Sequence, residues 1–354
     1  MALNADDRVQ EIKEHSPILI GHLDNFELMR RLRLGEKWPM KDRIIPRMQK
    51  AGVDYAIIAL GGDGAHQRGG SERPLWGSLQ VMGAFSEQLC GVDSVEIVTQ
   101  ACDVADWTKD GKVRFIIELE GGSPLEGSIY NLSHFYGLGV RYMQMTHNER
   151  NELGDGYFDD VTGGRLSRFG MQVVREMNRL GMVIGVSHLN ESGFWHVLEL
   201  SETPVLATHS NARSVFDLPR NLSDRQLKAL AEKGGVVGIH ACQFMVCEKP
   251  MTFVKYLEHL DYVVELIGPR HVGIGLLSPD VDWRQAFEKA EVGAGYLDSS
   301  QVLNTSEHPD GLTMEQQYVM LISALMERGY SDEDISWILG RSFLRVFEQV
   351  LGGK

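Results

Sequence analysis

The chain has 354 residues, 43% hydrophobic and 24% charged, which is ordinary globular usage that supplies one large core and excludes a disordered chain. A formal net charge of −14, with no long Lys/Arg run, excludes nucleic acid as an expected partner and leaves the acidic excess to solubility. Cys90, Cys102, Cys242 and Cys247 lack CxxC spacing and are too few for a disulfide framework. With no signal-type or membrane-spanning apolar stretch and no hydrophobic C-terminal tail, the sequence predicts a soluble cytoplasmic protein with no membrane partner.

Eight short apolar runs alternate with amphipathic stretches, the pattern of repeated β/α units. The first, residues 18–20, leads into GHLDN with His22 and Asp24; the second, 55–60, leads into a glycine-rich segment. The third, 113–119, ends in LEGG with Glu120, and the fourth, 140–145, in THNERN with His147. The fifth, 182–186, precedes His188 in SHLN, and the sixth, 205–207, precedes His209 in THSNAR. The seventh, 236–239, is followed by His240, and the eighth, 272–276, by a loop expected over 280–308.

Apolar residues recurring at three and four predict helices over 166–180 and 222–233, the latter with Ser223-Asp224 at its start and Gly234-Gly235 at its end. Two further helices are expected at 313–327 and 332–351. No Pro/Gly/Ser-rich linker interrupts the chain, so residues 1–354 read as one α/β domain, a (β/α)8 TIM barrel with a C-terminal helical extension.

The chemistry-bearing residues follow the strands. Side chains at the C-terminal ends of barrel strands converge on one face, so segments remote in sequence meet at one site. Taken singly, each histidine reads as a hydrogen-bonded core or loop residue, and Glu120 as a loop carboxylate. Together, three histidines and two carboxylates form a donor set for Zn²⁺ or a similar divalent ion. His22 and Asp24, two apart on an extended strand, face the same side. Glu118 shares a strand face with Glu120 and is a candidate for orienting a ligand. Asn148, Asn151 and Asp155 lie in the loop after His147 and are candidates for the pocket lining.

GHLDN, LEGG, LGVRYMQMTHN, VSHLN, THSNAR, the RN of LPRNLSD and KGGVVGI occur in an order and spacing that resembles the membrane (renal) dipeptidase family of the amidohydrolase superfamily, over roughly residues 18–275. The resemblance implies a (β/α)8 barrel, a homodimer and two zinc ions, with other divalent metals possible, bridged by a carboxylate and a hydroxide. It makes His22 and Asp24 ligands of one ion, His188 and His209 ligands of the other, and Glu120 the bridge. It also implies that His147 lies beside the scissile carbonyl and that Arg220 holds the substrate carboxylate or the developing oxyanion. A dipeptide or similar small amide is the implied substrate, attacked by the metal-bridging hydroxide.

Three positions depart from the family pattern. Ile20 stands where the family often has aspartate before GH, and LDNF replaces NDLP; neither change removes an implied ligand. After the eighth strand the family reads GSDFDG, whose first aspartate exchanges a proton with the bridging hydroxide and the leaving amine. Here GIGLLSPDVDW puts Leu277 at that place. Either Asp280 or Asp282 takes over the proton transfer, Asp280 being nearer the strand end, or the acid is absent. The competing readings are thus a dipeptidase, a non-peptide amidohydrolase or biosynthetic tailoring enzyme on the same site, and a catalytically impaired metal-binding homologue.

Overall fold

The computed structural model describes residues 5–63, 73–248, 252–277 and 313–353, so the loop expected at 280–308, with Asp280 and Asp282, lies outside the described residues. All eight apolar runs form strands, and a ninth, short one joins them: β1 Leu19–Asp24, β2 Tyr55–Gly62, β3 Val95–Ile97, β4 Val113–Glu120, β5 Val140–Gln144, β6 Val183–Gly185, β7 Val205–Ala207, β8 Val236–His240 and β9 Val272–Leu276. Strands β2 and β4 are buried at every residue, as parallel strands sandwiched between a barrel interior and a helical ring must be. Their alternation is hidden because both faces are apolar.

Every ladder is parallel, and the path runs β1-β2-β4-β5-β6-β7-β8-β9, with β3 paired to β4 off that path. The sequence did not announce β3, whose three half-exposed or exposed residues carry no buried pattern. Strand β9 comes back against β1: a Cβ at Gly21 would lie 2.8 Å from the Ile274 carbonyl oxygen. The result is a nearly closed eight-stranded (β/α)8 barrel.

Capping explains where the expected helices begin. Ser167 accepts from the Gly170 amide to start Arg168–Leu180, while Ser223 and Gln226 form a reciprocal capping box at Asp224–Glu232. The helix expected over 332–351 is broken in register: Asp332–Ser336 and Ser342–Leu351 are α-helical, and the π-helical turn Trp337–Arg341 lies between them. That extra residue per turn rotates the last helix relative to the one before it. Among the described residues no helix is long and apolar enough to cross a membrane.

The last helix closes the N-terminal end of the barrel. Phe343 and Phe347 join Leu19, Tyr55, Ile116, Tyr142, Val183, Leu206 and Val236 in one buried cluster. Gly273 makes the space for this plug, since a Cβ there would fall 2.3 Å from the Phe343 ring. The opposite end, where the strands finish, is left to polar side chains.

Candidate metal centre

Four of the five expected ligands meet at one point. The Oε1 of Glu120, the last residue of β4, lies 3.5 Å from Nε2 of His22, 3.2 Å from Nε2 of His188 and 3.4 Å from Nε2 of His209. All four residues are buried. His22 and Glu120 sit inside the ends of their strands, one or two residues earlier in the architecture than the sequence reading put them, because β1 and β4 run on to Asp24 and Glu120. Asp24 stands at the rim, its Oδ2 3.7 Å from His22 Nε2. His147, half-buried, brings Nε2 to 3.9 Å from Glu120 Oε1.

Two compact triads result, His22/Glu120/His209 and Glu120/His147/His188, and Glu120 is common to both. A shared carboxylate between two groups of donors is what a bridged pair of ions requires. Donors at about 2.0–2.1 Å from one tetrahedral zinc ion stand about 3.3–3.4 Å apart. The three Glu120 separations match that edge. His188 and His209 are closer, with Nε2 atoms at 2.7 Å, and must part slightly to share an ion.

Each ring is held by its other nitrogen. His22 Nδ1 lies 3.1 Å from Glu118 Oε2, His188 Nδ1 2.7 Å from Asn148 Oδ1, and His209 Nδ1 3.0 Å from Thr208 Oγ1. With Nδ1–H of His188 donated to the Asn148 oxygen, its Nε2 lone pair faces the centre, the arrangement metal-binding imidazoles adopt. Glu118 in turn accepts from the Gln144 side chain, and the Thr208 hydroxyl meets Tyr142 Oη at 3.2 Å. A Cβ at Gly185 would come within 2.4 Å of that Tyr142 oxygen, so glycine there makes the contact sterically possible. His22 and His209 also stack, with ring centroids 3.9 Å apart. The residues present therefore fit a divalent metal ion in donor type, donor spacing and ring orientation.

Electrostatics divides the histidines. Burial holds His188 and His209 well below the ordinary imidazole range, reinforced by Arg220 and by neighbouring histidines, so both are neutral and able to coordinate. For His22 burial also works against the cation, but the carboxylates of Glu118 and Asp24 outweigh it and raise the pKa to about 9. His188 further adopts φ +65°, a left-handed backbone that a residue with a Cβ rarely takes. Such strain is a recurring mark of functional positions.

Arg220 is buried beside this cluster, donating to Ser210 Oγ at 2.9 Å and to the His209 carbonyl at 2.8 Å. Its Nε has no hydrogen-bond partner, so donor capacity remains for a ligand. Burial lowers its pKa only to about 10, leaving it cationic at neutral pH. The Tyr157 ring lies 6.0 Å from the guanidinium and 6.2 Å from the His188 ring, walling the space between them. His240 packs edge-on against His209 at 5.5 Å, and burial pushes its pKa down to about 3. Leu277, at the place of the family's acid, is buried among apolar side chains.

Several participants escaped the sequence reading. Gln144, Thr208 and Tyr157 carry no motif signal of their own in the chain. Asp63, the acid following the second strand in GGD, was also passed over. Asn148 and Asn151 do belong to the site loop, whereas Asp155 is paired with Arg150 at 2.5 Å.

The sequence profile of membrane dipeptidase, peptidase family M19, matches residues 6–281. The chain belongs to that family. Among its relatives, dipeptidase verJ of Clonostachys rogersoniana is 31% identical over 261 residues, 73% of this chain and 61% of that protein. Mouse dipeptidase 3 is 32% identical over 264 residues, 72% of this chain and 48% of its own length, so the match spans about half to three-fifths of these relatives. A metallopeptidase from Rhodobacter sphaeroides, solved with a phosphinate mimic of the dipeptide L-Ala-D-Ala, superposes with a TM-score of 0.78 at 25% identity, covering 95% of this chain and 99% of that one.

Proposed function

We propose that this chain is a metal-dependent dipeptidase, cleaving the amide bond of a dipeptide or similar small amide with water. The observation that carries the reading is the convergence of three imidazole Nε2 atoms within 3.5 Å of one buried carboxylate oxygen, Glu120 Oε1. It is supported by membership of a family whose relatives are named dipeptidases. In this reading, which regroups the donors of the two triads, His22 and Asp24 would hold one ion and His188 and His209 the other, with Glu120 shared and His147 left to the substrate. Zinc is the ion best suited to that nitrogen and oxygen set. Bound there, two such ions polarise the carbonyl and lower the pKa of water enough to supply a nucleophile at neutral pH.

The remaining steps fall to side chains. Arg220 takes the substrate's carboxylate through its remaining donors, a pairing that a planar guanidinium makes in two parallel hydrogen bonds. His147, on the open side of Glu120, holds the carbonyl oxygen as charge develops on it. The departing amine needs a proton, and Asp280 is assigned that transfer, with Asp282 as the other candidate. A homodimer is proposed on the family resemblance, and sedimentation checks it.

Zinc-loaded protein assayed against dipeptides of L,L and L,D configuration tests the reading, with turnover expected and two ions per chain by elemental analysis. Asp280→Asn and Asp282→Asn then separate the acids: loss of turnover of about 10² or more in one, with metal retained, identifies it. Leu277, apolar and buried where the family carries its acid, favours one competing reading, a homologue that binds metal without hydrolysis. Two bound ions with no turnover of any dipeptide would count for that reading or for a non-peptide amidohydrolase on the same site.

A further inference from the structure

Asp63 directly follows β2 at the metal-centre end, yet it lies in neither triad. Its backbone amide donates to the Glu120 carbonyl at 3.0 Å. Its carboxylate receives the Ser123 amide at 2.8 Å on Oδ1 and the His147 amide at 2.9 Å on Oδ2. The Asn151 side-chain amide donates to both oxygens, at 3.2 and 2.9 Å. Asn151 also donates to the Met145 carbonyl and accepts from the Leu153 and Gly154 amides, so it staples the loop that carries His147. One side chain thus joins three loops, after β2, β4 and β5.

The backbone is shaped to admit this contact. Gly62 has φ +127°, and a Cβ there would lie 2.1 Å from the Glu120 carbonyl oxygen. Gly121 has φ +107°, and a Cβ there would lie 2.2 Å from Asp63 Cγ. Two glycines in a conformation closed to other residues are what let a carboxylate sit against the residue after Glu120. Burial raises the pKa of this carboxyl, and the amides of His147 and Ser123 pull against that. An apolar or amide side chain would leave an inward-pointing N–H without an acceptor.

We propose that Asp63 is a positioning residue that fixes His147 relative to Glu120, through its carboxylate contact with the first and its backbone-amide contact with the second. It touches no reacting atom. The inference rests on the hydrolytic reading of the site, in which His147 faces the substrate. A displacement near one ångström at such a group costs about 10²-fold in rate, and the hydrogen bonds of Asp63 are what prevent it.

The test is a double-mutant cycle on zinc-loaded protein. Asp63→Asn keeps the size but turns an NH₂ group towards one of the amides; its kcat is expected to fall by about 10²-fold, with KM and the two-ion content little changed. In a His147→Ala background the same substitution should cost less than about twofold, because its effect runs through the missing imidazole. Asn151→Ala, which leaves the backbone donors in place, should show a smaller fall with the same coupling if Asp63→Asn fails to fold. Equal falls in both backgrounds, or no fall in the native one, would overturn the proposal. Amide hydrogen exchange at His147 provides a readout without substrate: it should quicken at least about tenfold in Asp63→Asn, and an unchanged rate overturns the tie. If the parent turns over no dipeptide, the hydrolytic reading fails and this exchange measurement decides the tie alone.

Discussion

The two ends of the barrel are built from the same strands and serve opposite purposes. At the N-terminal end the inward residues are Leu19, Tyr55, Ile116, Tyr142 and Val236, sealed by Phe343 and Phe347, and ion pairs such as Asp54–Lys109 at 2.5 Å and Arg114–Glu96 at 3.0 Å lie nearby. At the C-terminal end the same strands finish in His22, Glu120 and His240, with His188 and His209 just beyond. One end gathers apolar area and satisfied charges. The other concentrates buried polar groups and a non-glycine residue at positive φ. Stability and chemistry are thereby separated along the barrel axis, joined by a middle layer in which Glu118, Gln144, Tyr142 and Thr208 hand hydrogen bonds upward to the histidines.

Glu120→Ala should break the comparison most completely at the upper end. With the oxygen shared by both triads gone, elemental analysis should find fewer than two ions per chain and dipeptide turnover should fall to background, while the circular dichroism spectrum stays that of the folded barrel. Retention of both ions would contradict the bridging role.

Phe343→Ala is the mirror experiment at the lower end. Removing a fully buried ring from the plug should cost about 3–5 kcal/mol of unfolding free energy, read from the urea midpoint. Zinc content and kcat per folded molecule should stay near parental values, because the ring ends against Gly21 and Gly273 and not against a donor side chain. A loss of metal with unchanged stability would show that the two ends are not separable.

Glu118→Gln probes the layer between them. It preserves the shape but removes the charge behind His22, and zinc affinity should fall about 10–100-fold, as for other groups that orient metal ligands. An affinity equal to the parent's would make Glu118 only a filler of the barrel interior.

Counted per pH unit, the smallest expected effect is the pH dependence of zinc binding. In the metal-free protein His22, with its pKa raised to about 9, carries a proton at neutral pH, and an incoming ion must displace it. Affinity should therefore weaken about tenfold for each pH unit below 9 and level off above it. His188 and His209, held neutral by burial, add nothing to that slope near neutrality. Calorimetry in buffers of different ionisation enthalpy should find close to one proton per chain from His22 at pH 7.5, on top of the proton lost when bound water becomes hydroxide. A flat profile would uncouple His22 from Glu118 and Asp24.

The strand and helix pattern was readable because it is local. Fully apolar runs such as YAIIAL admit little besides a strand covered on both faces, and Ser223 with Gln226 specifies a helix start within four residues. The donor set was readable because the chemistry of a metal centre restricts residue types, and because each donor stands at the same place in its own β/α unit. Residue type and order along the chain were enough for His22, Glu120, His188 and His209.

Tertiary structure alone decided which atom faces which. Whether Glu118 lies behind His22, whether Thr208 or Asn148 holds a given imidazole, and whether Asp63 reaches His147 depend on strand stagger and on space opened by glycines at 62, 121 and 185. Apart from Thr208 and His209, which are neighbours in the chain, those contacts link residues 40 to 96 positions apart, with no local period to betray them. Residue type was enough for the barrel and for which side chains gather at its open end, since burial and coordination chemistry act through residue type. The fold decided their orientation, since a hydrogen bond depends on distances of tenths of an ångström that only the closed sheet defines.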